Sequence, residues 1–131
     1  MTTRTTRPLS PHLTIWKWGP HMMVSILNRV TGVALTVGGL ALLTWWLLGI
    51  AEGGSAYADF TAVAGHPLGL AVLVGLTWAF WVHFFAGLRH IVMDTGSGFE
   101  LKTNRFFAVM TLVASVFATA LTWFFLVGVS R

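Results

Sequence analysis

Trp81-Val82-His83-Phe84-Phe85-Ala86-Gly87-Leu88-Arg89-His90-Ile91-Val92-Met93-Asp94 is the stretch that decides how this chain folds. It closes an apolar run beginning at Pro67 and gathers two histidines, an arginine and an aspartate into a few helical turns. At about 100° per residue, His83 and His90 fall on nearly one face, with Asp94 one turn further along it. The apolar part of the run, Pro67 to Leu88, is 22 residues long. At about 1.5 Å per residue that length crosses a hydrocarbon core of roughly 30 Å. His83 then lies about 7–8 Å inside the hydrocarbon. Ionisable groups at such depth are expensive, point inward and usually serve a function.

Composition agrees with a membrane setting. The chain has 131 residues, 56% hydrophobic and only 9% charged, against about 25% charged in a soluble domain. The net charge of +4 is scattered around apolar runs and forms no basic face, which argues against nucleic acid as a partner. Cysteine is absent, so disulfides, thiolate zinc sites and iron–sulfur clusters ligated by this chain are excluded. Any electron carrier bound here is held by histidine or methionine.

Working outward, two more spans appear. One runs from about 22 to 50: after Arg29, the 22 residues from Val30 to Ala51 are uncharged, so Arg29 sits at the hydrocarbon edge. The other runs from about 105 to 129 and carries no ionisable group beyond Arg105. Its Ala108, Ala114, Ser115, Ala118 and Ala120 suit close helix packing. Between the first two spans, Glu52 to Gly65 reads as a loop. The fold expected is therefore an all-α membrane protein with three transmembrane helices, about 22–50, 67–94 and 105–129. Residues 1–131 form one membrane-anchor domain, and 1–21 form a cytoplasmic or interfacial segment.

That opening segment has no secretory signal, because residues 1–7 lack an apolar core. Ser10 before Pro11 reads as a helix cap with proline at the first helical position. Trp16, Lys17 and Trp18 are residues that settle at headgroup level. Arg4, Arg7, Lys17, Arg29, Arg89, Lys102 and Arg105 stand on one side and only Arg131 on the other. Seven against one puts the N-terminus in the cytoplasm and the C-terminus outside. For a bacterial inner membrane the outside is the periplasm.

Two kinds of chemistry suit the charged end. His83 has the depth and residue type of an axial ligand to a b-type haem iron, with Phe80, Trp81, Phe84 and Phe85 available as walls and Arg29 and His90 near enough the surface to meet propionates. His90 cannot be the second axial ligand, since it shares the face of His83. No other histidine lies inside a span, so a bis-histidine haem needs a second chain. The alternative is a buried His83 bonded across helices. Ser25 and Arg29, four apart on one face, offer donors for the charge that develops on a quinone oxygen during reduction, and Asp94 can pass protons inward. The plainer reading is a snorkelling arginine, a serine bonded to its own backbone, and Asp94 paired with Arg89 or His90.

Three motifs carry a resemblance: Arg7-Pro8-Leu9-Ser10-Pro11-His12-Leu13, Ser25-Ile26-Leu27-Asn28-Arg29-Val30-Thr31-Gly32, and His83 followed by Gly87-Leu88-Arg89-His90 and Asp94. In this order and spacing the chain resembles the cytochrome b large membrane-anchor subunits of succinate dehydrogenase, respiratory complex II. The resemblance implies a complex in which a flavoprotein oxidises succinate, an iron–sulfur protein relays electrons, and two small anchors share one haem b and bind ubiquinone. It implies His83 as one axial ligand, with the other from the second anchor. It implies Ser25 and Arg29 at the quinone, Arg29 also near the propionates, and Asp94 near a proton route. No catalytic residue is assigned, since succinate oxidation belongs to the partners. Asn28 stands where many members have histidine; asparagine donates a hydrogen bond but carries no charge. Trp16 replaces a commoner tyrosine. The alternatives are a fumarate reductase anchor and a haem-free scaffold that docks soluble redox subunits.

Overall fold

The computed structural model describes residues 17–129, and all its regular structure is helical. Residues 1–16, with the expected Ser10–Pro11 cap and Trp16, lie outside the described residues. Lys17 to Gly19 are irregular, and Trp18 is largely exposed. Gly19 then caps the first helix in an extended conformation, with Pro20 at the first helical position. Its carbonyl accepts from the amides of Met22 and Met23. Proline suits this position because its missing N–H is one the helix would leave unpaired anyway.

The first span is continuous over Pro20–Glu52. It consists of α1 (Pro20–Ala34), a π-helical turn (Leu35–Gly39) and α2 (Leu40–Glu52). Within the turn, Thr36 donates to the Gly32 carbonyl at 2.8 Å, a bond that competes with the regular ladder and is a common source of local widening. Gly53 at φ +65° and Gly54 at φ +52° end the span in the left-handed region open to glycine.

The connection expected to be a loop is instead a helix, α3 (Gly54–Gly65). Its four alanines, Ala56, Ala58, Ala62 and Ala64, favour helix strongly, and it has something to pack on. Phe60 meets Trp45 edge to face at 5.2 Å. The glycines that read as loop signals bound this helix and do not interrupt it. His66 then caps α4 (Pro67–Asp94): its Nδ1 accepts from the Leu68 amide at 3.2 Å. Gly96 and Gly98, at φ +85° and +80°, turn the chain into α5 (Leu101–Val129).

Three helices, α1, α4 and α5, pack on one another, while α2 leaves the bundle and α3 is wedged between it and α4. Their junction is a small core of Val24, Ala86 and Ala108 with Leu112 against it. Small residues there let the backbones approach closely, the main means by which helices associate in lipid. Thr31, Thr111, Ser115 and Thr119 are also buried, each donating to a carbonyl three or four residues earlier on its own helix. That arrangement lets a hydroxyl enter an apolar interior without an orphaned donor. Large apolar side chains face outward along all three spans, among them Val37, Leu68, Phe117 and Phe124. The expected three-span plan holds, with ends at Pro20–Glu52, Pro67–Asp94 and Leu101–Gly128.

Candidate functional site

His83 sits on α4 facing α1, at the rim of the packed surface, and its side chain is exposed. Its Nδ1 lies 3.0 Å from the backbone carbonyl oxygen of Asn28. A carbonyl only accepts, so Nδ1 carries the proton and Nε2 keeps a free lone pair. This is the hydrogen-bond pattern that orients metal-ligating histidines. Gly32 makes the approach possible, because a β-carbon there would stand 3.0 Å from His83 Cε1. Of the readings left open by the sequence, the bond across helices is present, while the side chain is exposed where that reading expected it buried.

The aromatic residues around it divide. Phe80 and Phe84 are exposed and stack at 6.3 Å. Trp81 donates from Nε1 to Thr122 Oγ1 at 3.1 Å, which ties it to α5, and Phe85 stacks on it at 5.8 Å. Of these four rings, Phe80 and Phe84 are the exposed ones.

Nearer the start of α1 a cavity of about 470 Å³ opens between the three packed helices. Ser25 and Arg29 line it from α1, Arg89 and His90 from α4, and Asn104 from α5, with His21 also on its wall. The structure therefore brings together Ser25, Arg29 and His90, as the sequence expects. His83 and Asp94 are not among the lining residues. Arg89 is buried and donates through Nη2 to Asn104 Oδ1, which ties it to α5. Its Nε is buried with no partner among the described residues, as is Nδ1 of His21. No carboxylate lines the cavity, so its walls are cationic and rich in donors, suited to an oxygen that gains negative charge.

Three residues here escaped the sequence reading. His21, Ser25 and Arg29 follow one another at intervals of four, a stripe that was legible but set aside because His21 precedes the span. Arg89 was placed at this interface without a role. Asn104 had no signal, since its meeting with Arg89 depends on how α5 docks.

A bundle of three apolar spans, with a donor-lined cavity among the packed helices, has the architecture of a small membrane-anchor protein. Residues 3–122 match the family described as succinate dehydrogenase/fumarate reductase transmembrane subunit, and the chain belongs to it. It is 39% identical over 119 residues to the succinate dehydrogenase cytochrome b556 subunit of Paracoccus denitrificans, covering 91% of each chain. It is 35% identical to the subunit of that name from Rickettsia felis, over 89% of this chain and 90% of the other. The mitochondrial cytochrome b560 subunit of Sus scrofa is 29% identical, over 86% of this chain and 68% of its own length. The chain is thus a membrane-anchor cytochrome b subunit of succinate dehydrogenase.

Proposed function

We propose that this subunit holds one side of a haem b through His83 and, with Ser25 and Arg29, forms part of a site where ubiquinone is reduced with electrons from succinate. The observation that carries the reading is the bond from His83 Nδ1 to the Asn28 carbonyl at 3.0 Å, which leaves Nε2 basic, oriented and exposed. The residues fit the group: an imidazole of fixed tautomer, two exposed phenylalanines for the ring, and Arg29 and His90 for the propionates. When bound, haem b supplies a one-electron store close to the quinone.

His83 is a single ligand, so a second small anchor subunit would supply the other residue that holds the haem. The iron–sulfur and flavoprotein subunits complete the complex. Ser25 and Arg29 donate hydrogen bonds to a quinone oxygen and stabilise the charge it acquires. Asp94, exposed at the end of α4, stands outside the cavity and serves proton entry from the aqueous side. Residues 1–131 act as one anchor domain in a bacterial inner membrane, with the N-terminus cytoplasmic and the C-terminus periplasmic. The relatives named above are all succinate dehydrogenase subunits by name, which favours succinate oxidation over the fumarate reductase direction.

The test is a reduced-minus-oxidised spectrum of the purified complex. His83→Ala removes or strongly diminishes the b-type band, and Arg29→Ala lowers quinone reduction by about a hundredfold, the size of effect seen when one oxyanion donor is lost. A complex with no b-type band would make this chain a haem-free scaffold.

A further inference from the structure

We infer that His21 is the proton donor to the quinone, taking protons at the interface and delivering them into the cavity between α1, α4 and α5. The inference rests on the reading of that cavity as the quinone site, and extends it to a residue to which that reading gives no part.

His21 stands at the second position of α1, directly after Pro20, where the helix leaves the interface. It lines the same cavity as Ser25 and Arg29, which follow one and two turns further along the same stripe. Its Nδ1 is buried and has no hydrogen-bond partner among the described residues. A buried imidazole nitrogen left unpaired is costly unless something else meets it.

Reduction of a quinone also requires what the other groups cannot give. Quinone plus two electrons and two protons yields quinol; the electrons come from succinate as it becomes fumarate. Each proton must form an O–H bond at the ring oxygens. The charged and titratable groups facing His21 across the cavity are Arg29 from α1 and Arg89 and His90 from α4, while α5 contributes the neutral Asn104. Arginine stays protonated under all physiological conditions, so Arg29 and Arg89 stabilise charge and release no proton. Histidine changes charge between about pH 5 and 8 and is suited to the transfer. Of the two histidines His21 shares the helix stripe of Ser25 and Arg29 and stands at the start of its span. In each transfer an N–H bond of the imidazolium breaks, its electron pair stays on the ring nitrogen, and the ring takes a new proton from interfacial water. Two such turns complete the quinol.

Gly19 offers a second handle. A β-carbon on Gly19 would lie 2.6 Å from His21 Cε1 and 2.9 Å from its Nδ1, so alanine there forces the ring aside. The obstacle is the end of a mobile side chain, and the ring swings while the helix stays.

The test compares membranes containing the full complex with His21→Gln, Gly19→Ala, His90→Gln and Arg29→Ala. The quinone-reduction rate is divided by the rate of succinate oxidation with a soluble dye, which counts assembled dehydrogenase. His21→Gln lowers this ratio about tenfold or more at neutral pH and abolishes the fall in rate that the unaltered complex shows as pH rises through the histidine range. Gly19→Ala lowers the ratio with the b-type band retained. A ratio and pH profile unchanged in both His21→Gln and Gly19→Ala overturn the inference, as does a pH limb that vanishes only in His90→Gln. A ratio unchanged in Arg29→Ala overturns instead the reading of the cavity as the quinone site.

Discussion

At His83 the decisive partner is a backbone carbonyl, so the Asn28 side chain has no part in that contact. The Asn28 carbonyl orients the imidazole, whatever side chain that position carries. The sensitive neighbour is Gly32. Its missing β-carbon leaves room for the ring, and a methyl at 3.0 Å from His83 Cε1 falls inside ordinary carbon contact of about 3.5–4.0 Å. Gly32→Ala therefore tilts the ring off its bond to Asn28. The expected result is a shifted or weakened b-type band per mole of complex, with the subunit still in the membrane. Gly38→Ala is the matched control: its β-carbon would meet Leu76 at 3.7 Å, an unstrained contact, and the band stays as it was. His83 stands out in the sequence because an imidazole inside an apolar run is conspicuous. Its partner does not, since every residue offers a carbonyl and only the crossing of α1 and α4 selects this one.

At the scale of elements, the sequence pattern and the structure part company where polarity and helicity diverge. Lys102 and Asn104 fall before the expected start of the third span at about 105, yet they belong to the first turn of α5; a helix runs on past the hydrocarbon as long as water satisfies its side chains. The first span likewise begins at Pro20 and ends at Glu52, beyond the apolar limits. Glu52 to Gly65 reads as a loop because it lies between two apolar runs and carries Glu52 and Asp59, yet its alanines fold Gly54–Gly65 into α3. Its seat on α4 depends on Gly69, where a β-carbon would stand 2.0 Å from the Val63 carbonyl oxygen. The obstacle there is backbone, which has no rotamer to change. Gly69→Ala consequently drives α3 off α4 and costs about 1–3 kcal/mol, the usual range for overpacking. A lowered melting midpoint of the complex in detergent, with an intact b-type band, is the expected signature. His83 lies on another part of α4, so loss of the band would mean that the two ends of the subunit are coupled.

For the whole molecule the governing asymmetry is between its two ends. At one end α1, α4 and α5 close around a cavity lined by Arg29, Arg89, His21 and His90. At the other, α2 and α4 are spread by α3, and an apolar cavity of about 530 Å³ lies among them, bounded by Trp45, Val63, Leu68 and Val72. In the orientation proposed above, with cationic side chains held on the cytoplasmic side, the donor-lined cavity would face the compartment that supplies protons and α3 would face away from it. The absence of cysteine makes this directly measurable. Ser55, exposed on α3, and Ser97, exposed between α4 and α5, each accept a cysteine, and a maleimide that cannot cross the membrane is applied to intact spheroplasts. Ser55→Cys reacts from outside; Ser97→Cys reacts only after the membrane is opened, and both react fully once the protein is denatured. The reverse pattern would place the cavity on the periplasmic side. Quinol formation would then draw protons from that compartment, and His21 would load from it too.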